Sequence, residues 1–239
     1  MKIGHEIQLS LLPPSCPELP GWELRAYYQP AREVGGDLYD FVLGPDDEAY
    51  LRLVIADVTG KGVPAALFMA SARTTLRAES LSGYGPGDVL RRTNRVLRLD
   101  RQTPLSQSAF YALLHRETGR LTFSNAGHEH PLWVRSGKSV EMLDEHDIVL
   151  GLFADVPYRE WTVEMAPGDC LVMYTDGVTE ARDETGGFFG ESRLREVVAA
   201  CAGGSAEELV QAIVDAVSAF AGATPPADDC TIVVLKRAA

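Results

Sequence analysis

Residues 33–41 read EVGGDLYDF, so that two glycines and an aspartate lead into an alternating apolar stretch. A sequence of this kind has three interpretations: a hairpin that holds a nucleotide, one corner of a metal site, or a tight turn without chemistry. The stretch alone does not separate the three, and the decision rests on the segments that lie on either side of it.

Strand-like segments surround this stretch. The segments that alternate or run apolar between Gly, Pro and Asp breaks are 22–29, 37–43, 49–56, 108–115, 120–124, 131–135, 160–165, 169–175 and 230–236. The predicted helices are 5–12, 63–81, 87–99, 190–201 and 205–221. Hairpin-like runs of strands beside separate helical blocks predict the α+β class with antiparallel sheets, because a doubly wound parallel sheet needs strict β-α alternation.

Charge and composition narrow the classes of partner. Among the 239 residues, 22 Lys and Arg stand against 34 Asp and Glu, which gives a formal net charge of −12. This field repels phosphate backbones, so no nucleic-acid partner is expected. The four cysteines form no CxxC pair and are expected to be reduced thiols of a cytoplasmic protein. No apolar run approaches the roughly 20 residues of a membrane span, so no membrane partner is expected either.

Aspartates stand at the ends of four predicted strands. Asp37 follows Gly35 and Gly36, Asp57 ends LRLVIAD, Asp176 ends CLVMYTD, and Asp228 and Asp229 precede CTIVVL. A single strand-end aspartate is an ordinary turn residue. A buried strand that runs into an unpaired charge is nevertheless costly. Four such strand ends are harder to attribute to separate turns, because three carry the aspartate directly beside Gly or another Asp and Asp57 precedes Gly60 by three residues.

If the four strand ends converge, their like charges stay ionised only in the presence of cations. Oxygen ligands alone select the hard ions Mg²⁺ or Mn²⁺ rather than zinc. Two such ions about 4 Å apart can share a water, lower its pKa and aim it at a phosphorus atom. This interpretation also makes the chain one domain, because Asp37 and Asp228 have to meet.

An ordered set of motifs resembles a known family. The motifs are PAREVGGDLYDF (30–41), ADVTGKGVPAALFMA (56–70), NAGHEHPLWV (125–134), LGL (150–152), PGDCLVMYTDGVTEARD (167–183), FFGESRL (188–194) and ADDCTIVVL (227–235). Together they resemble the metal-dependent protein phosphatase (PPM) superfamily, and within it the bacterial type of sporulation stage II protein E and the sigma-B regulator U. The resemblance runs from about Gln8, in QLSLLP, to Leu235, and the ordered set is highly specific although each motif alone is modest.

The resemblance implies an αββα sandwich, in which two antiparallel sheets pack face to face between helices and hold metal ions at one end. It implies hydrolysis of phosphoserine or phosphothreonine by a water that two ions bridge, either Mn²⁺ or Mg²⁺. The residues that match the family's catalytic aspartates and metal ligands are Asp37, Asp57, the carbonyl of Val58, Asp176 and Asp228, with Asp229 as the less favoured alternative to Asp228. Asp57 is expected to bridge the two ions.

The same resemblance implies a substrate and a domain organisation. The substrate is expected to be a small phosphorylated regulator of the anti-anti-sigma type, which places the chain in bacterial signal transduction and sigma-factor regulation. Residues 1–14 are interpreted as a linker or helix tail and residues 15–239 as a single phosphatase catalytic domain. A sensor domain before residue 1 and a homodimer are both compatible with the resemblance, and so is an N-terminal helix that only caps the domain.

Weaker candidates lie beside the aspartates. Arg32 stands five residues before Asp37, where some members of the superfamily place a phosphate-binding arginine. A solvated surface arginine is the alternative. The sequence GKGVP at 60–64 begins a helix but lacks the spacing of a phosphate-binding P-loop, so its glycines are expected to let the chain turn. His128 and His130 have no third ligand near them in sequence, and a structural role in a turn is expected.

Two alternatives come from other functional classes. A nucleotide cyclase of the Gly-Gly-Asp type is disfavoured, because that hairpin comes late in such enzymes whereas only 34 residues precede Gly35 here. The other alternative is a non-catalytic binding module of the same fold, but all four aspartate positions are filled. Covalent phosphatase chemistry with a Cys-x5-Arg loop is excluded, because no arginine follows a cysteine at that spacing.

Overall fold

The described part of the chain comprises residues 2–44, 47–99, 105–135 and 139–239 of a computed structural model. It divides into two units. The first unit consists of Met1–Ser15, Glu33–His128 and Glu145–Glu164. The second unit consists of Cys16–Arg32, Glu129–Asp144 and Met165–Ala239. Each unit contains one five-stranded sheet with helices of its own.

The helices and strands are numbered in chain order. The helices are α1 (Lys2–Leu11), α2 (Val63–Ser80), α3 (Pro86–Leu97), α4 (Asp176–Thr179), α5 (Gly190–Ala200) and α6 (Ala206–Ala221). The strands are β1 (Trp22–Gln29), β2 (Leu38–Gly44), β3 (Asp47–Val58), β4 (Gln107–His115), β5 (Arg120–Ala126), β6 (Leu132–Arg135), β7 (Ser139–Met142), β8 (Trp161–Glu164), β9 (Cys170–Tyr174) and β10 (Cys230–Arg237). The strand order is β2-β3-β4-β5-β8 in the first unit and β1-β10-β9-β6-β7 in the second. Every neighbouring pair in both sheets is antiparallel.

Strand β3 and helix α2 form the core of the first unit. Strand β3 lies between β2 and β4, and its residues 51–56 are all buried, as expected of a near-continuous apolar run inside a sheet. Helix α2 has a proline in its first turn and contacts β2 and β3. The buried face of α2 consists of Ala65, Met69, Ala72, Leu76 and Ser80, at the three- and four-residue spacing of one helix face.

A buried ion pair also joins α2 to β2. The Asp40 side chain is 3% exposed, and both of its carboxylate oxygens accept hydrogen bonds from Arg77 Nη1, at 2.7 and 2.8 Å. A second guanidinium, that of Arg73, lies 3.3 Å from Asp40 Oδ2. Asp40 comes three residues after Asp37, so these contacts fix the helix against the start of β2.

The second unit is built around β9 and β10, which pack against α5 and α6. Its buried cluster contains residues of β6, β9, β10, α5 and α6, among them Val172, Leu194, Ile213 and Val234. Helix α6 begins with a capping box, in which Ser205 Oγ accepts from the Glu208 amide and the Glu208 carboxylate accepts from the Ser205 amide. The bond from the Ser205 backbone lowers the pKa of Glu208.

The predicted α+β class, with antiparallel sheets and flanking helices, is confirmed. The predicted strands and helices are present with shifts of up to two residues at their ends, apart from the helix predicted at 5–12, which begins at Lys2. Two elements were not predicted: β7, whose residues alternate between exposed and half-buried, and α4, which is a single turn. Among the described helices, none combines the length and the apolar character that crossing a bilayer requires.

Candidate functional site

The first pair of predicted ligands lies at one end of the sheet of the first unit. Leu38 pairs with Ala56 in the antiparallel register of β2 and β3. Asp37 precedes this pair by one residue and Asp57 follows it by one, so the continued register brings the two aspartates opposite each other. Asp37 is 2% exposed, whereas Asp57 is half-buried. Two carboxylates side by side at a strand end make a site that favours a cation.

Gly36 shows how closely the chain approaches β3 at this point. A Cβ atom on Gly36 would lie 2.9 Å from the Val58 carbonyl oxygen and 3.3 Å from Asp57 Oδ1. A side chain at this position would therefore press against two of the predicted oxygen donors, and glycine leaves them accessible. The Gly-Gly-Asp sequence thus lets the chain before β2 pass close to the end of the neighbouring strand β3.

The same end of the sheet continues across β4 and β5. Asp57 pairs with Ser108 of β4. The Ser108 hydroxyl lies 2.8 Å from His128 Nδ1. His128 is held in turn by Asn125, whose Oδ1 accepts from the His128 amide at 2.7 Å and whose Nδ2 donates to the His128 carbonyl at 3.0 Å. These bonds give His128 the structural role in a turn that the sequence predicted.

The second pair of predicted ligands lies at one end of the sheet of the second unit. Asp176 follows β9 and opens α4, and Asp228 stands just before β10. The two chain segments are joined by Thr175 and Thr231: the Thr175 amide donates to the Thr231 carbonyl at 3.1 Å, and the Thr231 amide donates to Thr175 Oγ1 at 3.0 Å. This reciprocal pair fixes the spacing of the two strand ends that carry Asp176 and Asp228.

Gly177 brings these two segments into direct contact. A Cβ atom on Gly177 would lie 1.9 Å from the Asp229 carbonyl oxygen and 3.3 Å from that of Asp228. Any side chain here would force the two backbones apart. The glycine of the DG motif is therefore required by the approach of the two segments.

Asp228 and Asp229 have different surroundings. Asp229 is 5% exposed, and its Oδ1 accepts a hydrogen bond from the Ala31 amide at 2.8 Å. Asp228 is half-buried, and its Oδ1 accepts from the Asp229 amide at 3.0 Å. Asp229 is thus tied to the segment after β1 and nearly closed to solvent, whereas Asp228 is the more accessible carboxylate and stays the preferred candidate ligand of the two.

Further charged groups lie at this end of the second sheet. Glu129 just precedes β6, and burial raises the pKa of its carboxyl above the ordinary value. The carboxylates of Asp176, Glu180 and Glu191 raise this pKa further. Arg32 is exposed and follows β1, whose last residue Gln29 pairs with Cys230 at the start of β10. The predicted phosphate-binding arginine and Asp228 thus belong to the same end of one sheet.

The donors fit the metal ions that the sequence predicts. The first unit offers the carboxylates of Asp37 and Asp57 and the Val58 carbonyl, and the second offers the carboxylates of Asp176 and Asp228. Oxygen donors of this kind suit Mg²⁺ or Mn²⁺. Within neither unit, over the described residues, do three or more His, Cys, Asp or Glu side chains form a group that could hold a metal alone. The predicted ligands are divided between the units.

Sequence reasoning missed two contributors to these strand ends. Gln8 of α1 binds the backbone of Gly35, two residues before Asp37. Its signal was present, because Gln8 begins the QLSLLP stretch at which the family resemblance starts. Glu129 was the other, and no periodicity marks it, since it lies in the turn before β6.

One protein-family profile matches most of the chain. Residues 47–238 match the family profile of stage II sporulation protein E (SpoIIE). The chain is 30% identical over 238 residues to phosphoserine phosphatase RsbU of Bacillus subtilis (strain 168). This match covers 99% of this chain and 70% of that protein. It is 33% identical over 227 residues to protein IcfG of Synechocystis sp., which covers 82% of this chain but only 35% of that longer protein.

Solved structures give the same family relationship. The structure of the SiaA-PP2C domain of Pseudomonas aeruginosa matches with a TM-score of 0.86 and 25% sequence identity. The match covers 98% of this chain and 94% of that domain. The likeness therefore extends through both units of the chain and includes all of the strand ends described above.

Proposed function

The chain belongs to the stage II sporulation protein E family of metal-dependent protein phosphatases, and on that premise we propose that it hydrolyses phosphoserine or phosphothreonine on a small regulatory protein. One observation carries the proposal: each unit brings two of the predicted aspartates to one end of its own sheet, beside a glycine at which a side chain would collide with the neighbouring segment. A turn without chemistry would not require this arrangement twice.

The residues proposed to hold two divalent cations, Mn²⁺ or Mg²⁺, are Asp37, Asp57, the Val58 carbonyl, Asp176 and Asp228. Such ions, when bound, lower the pKa of a water that they share and offset the negative charge of the phosphate. The chain contributes the negative charge that attracts the ions and the rigid spacing of the donors. Gly36 sets that spacing in the first unit, and Gly177 with the Thr175–Thr231 pair sets it in the second.

Arg32 is proposed to bind the phosphate of the substrate. Its guanidinium is exposed and belongs to the sheet end that carries Asp228. Guanidinium groups bind phosphate oxygens with two parallel hydrogen bonds, which fixes orientation as well as position. Replacement by lysine, which keeps the charge and loses this geometry, is expected to raise the KM for a phosphorylated substrate more than it lowers kcat.

Hydrolysis of an aryl phosphate by the purified chain tests the reaction. Activity is expected with Mn²⁺, to be lost on addition of EDTA, and to return when Mn²⁺ is restored. Asp57→Asn is expected to lower the activity by more than about a hundredfold, because the change removes a charged ligand. Asp155→Asn, at an exposed position, serves as the matched control and should leave the activity unchanged. Activity that survives both EDTA and Asp57→Asn would contradict the proposal.

The substrate is proposed to be a phosphorylated regulator of the anti-anti-sigma type in the cytoplasm. Two relatives of the chain, RsbU and RsbP, are named phosphoserine phosphatases, which also favours this function over a nucleotide cyclase. Phosphoproteins that bind to immobilised Asp57→Asn in an extract of the source cell, and not to the wild-type chain, are expected to include such a regulator. Retention of the same phosphoproteins by both chains would argue against it.

The domain organisation is proposed as the sequence predicted it. In this proposal residues 15–239 are the catalytic domain, and residues 1–14 are a linker to a sensor domain in a longer protein. Helix α1 of this linker also packs on the catalytic domain through Gln8. A homodimer of the domain is part of this proposal. Sedimentation of the chain, with and without residues 1–14, measures whether the dimer exists and whether the helix is needed for it.

A further inference from the structure

The loop that carries the Gly-Gly-Asp sequence needs hydrogen-bond partners from outside itself. Residues 31–37 lie outside the strands, so no sheet ladder satisfies their backbone groups. One side chain binds both polar groups of Gly35: Gln8 Nε2 donates to the Gly35 carbonyl at 2.6 Å, and the Gly35 amide donates to Gln8 Oε1 at 2.9 Å. Gln8 is 4% exposed, and Gly35 is buried, so water does not compete for these bonds.

Helix α1 lies along this loop at a second point. A Cβ atom on Gly4 would contact Val34 Cγ1 at 3.7 Å, which is ordinary packing distance. Gly4 and Gln8 are four residues apart and so share one face of the helix. The face of α1 that carries them therefore lies against Val34 and Gly35.

The loop is confined on its other side by β3. Gly36 approaches β3 so closely that even a methyl group would collide with the Val58 carbonyl oxygen and crowd the Asp57 carboxylate. Between Gln8 on one side and the end of β3 on the other, the segment Gly35–Asp37 has little freedom. A shift of Gly35 is passed directly to Asp37 through two peptide units.

We propose that Gln8 is a positioning residue, which sets the place of Asp37 relative to Asp57 and thereby the affinity of this site for a divalent cation. The inference rests on the proposed metal-binding role of Asp37. A carboxamide is suited to the task because it offers one donor and one acceptor side by side. A carboxylate offers acceptors only, and asparagine is one methylene shorter.

Three variants of the whole chain test the inference. Gln8→Leu keeps the size of the side chain and removes both hydrogen bonds. Gln8→Glu keeps an acceptor for the Gly35 amide but has no donor for its carbonyl. Glu6→Gln, at an exposed position of the same helix, is the matched control. The measurements are Mn²⁺ binding by calorimetry, hydrogen exchange of the Gly35 amide by NMR, the midpoint of urea unfolding, and kinetics with an aryl phosphate.

The expected result for Gln8→Leu is a loss of Mn²⁺ affinity of roughly tenfold, equivalent to about 1.4 kcal/mol. Exchange of the Gly35 amide should accelerate by at least a similar factor. At saturating Mn²⁺ the KM for the aryl phosphate should stay unchanged, because Gln8 does not touch substrate. Gln8→Glu should lie between Gln8→Leu and the wild type, and Glu6→Gln should match the wild type in every measurement.

A purely structural role for Gln8 predicts something different. In that case Gln8→Leu lowers the urea midpoint while the Mn²⁺ affinity of the folded chain stays at the wild-type value, and that result would overturn the inference. A wild-type chain that binds Mn²⁺ but hydrolyses no phosphate would refute the proposed function and leave the role of Gln8 intact. A wild-type chain that binds no Mn²⁺ would overturn both.

Discussion

Replacement of Asp40 by alanine is expected to destabilise the first unit strongly. The Asp40 carboxylate is buried between β2 and α2, with the guanidinium of Arg77 at 2.7 Å and that of Arg73 at 3.3 Å. The alanine variant leaves two positive charges facing a space from which their counterion has been removed. Arg73 is the more serious case, since its side chain is only 16% exposed.

The expected cost follows from how far each arginine can reach water. Removal of one partner of a buried ion pair costs about 3–5 kcal/mol, because the other charge is left without compensation. Arg77 is 44% exposed and can turn toward solvent, which reduces its share. The free energy of unfolding should therefore fall by about 3 kcal/mol, the lower end of that range.

Urea unfolding measures this loss as a shift of the midpoint at a constant m value. The matched control is Glu141→Ala, which removes an ion pair that is exposed on both sides, and its cost should stay below about 1 kcal/mol. In the double variant Asp40→Ala with Arg77→Ala the loss should be smaller than the sum of the two single losses, because the two residues share one interaction. A loss below about 1 kcal/mol for Asp40→Ala would refute the reasoning.

Three further outcomes are expected. Gly177→Ala should lower the free energy of unfolding by about 1–3 kcal/mol and abolish the phosphatase activity, because its Cβ would lie 1.9 Å from a carbonyl oxygen. The control Gly203→Ala, where the Cβ would point into open space, should leave the urea midpoint nearly unchanged. Glu129→Gln should stabilise the metal-free chain at pH 7. Because burial raises the pKa of the Glu129 carboxyl, the wild type loses stability as the pH rises above the ordinary value of 4.5. The urea midpoints at pH 4 and pH 7 should therefore differ less in the variant than in the wild type. Asn94→Ala should cost about 2 kcal/mol in the same assay, since the buried Asn94 amide binds the backbone of Gly151, Phe153 and Ala154; a loss under 0.5 kcal/mol would contradict this.

The strand ends were predictable from the sequence because two features coincide there: an apolar run ends, and an aspartate stands next to it. The run LRLVIAD is buried along residues 51–56 and stops at a carboxylate, so the sequence alone predicts both the strand and the residue at which it ends. The antiparallel pairing then brings Asp37 opposite Asp57 without further assumptions. That these aspartates bind metal remains a prediction.

Other features of the site depend on contacts that no local pattern encodes. Gln8 and Gly35 are far apart in sequence, and although the QLSLLP stretch marks Gln8, it does not say that the side-chain amide of Gln8 binds the backbone of Gly35. Helix α4 was missed because DGVT reads equally well as a turn after β9. The surroundings that distinguish Asp229 from Asp228 include a hydrogen bond from the Ala31 amide, which belongs to a distant segment of the chain.

The place of β10 has a consequence for the protein while it is being synthesised. Strand β10 lies between β1 and β9, yet it is the last of the described strands to leave the ribosome, while β1 is the first. At about 5–20 residues per second, β1 therefore waits for its partner for roughly 10–40 s. During that interval the edges of β1 and β9 are open to chaperones or to other nascent chains. Asp228 comes beside the end of β9 only when β10 has paired there, so the proposed metal ligands Asp176 and Asp228 come together only after residues 230–237 have been translated.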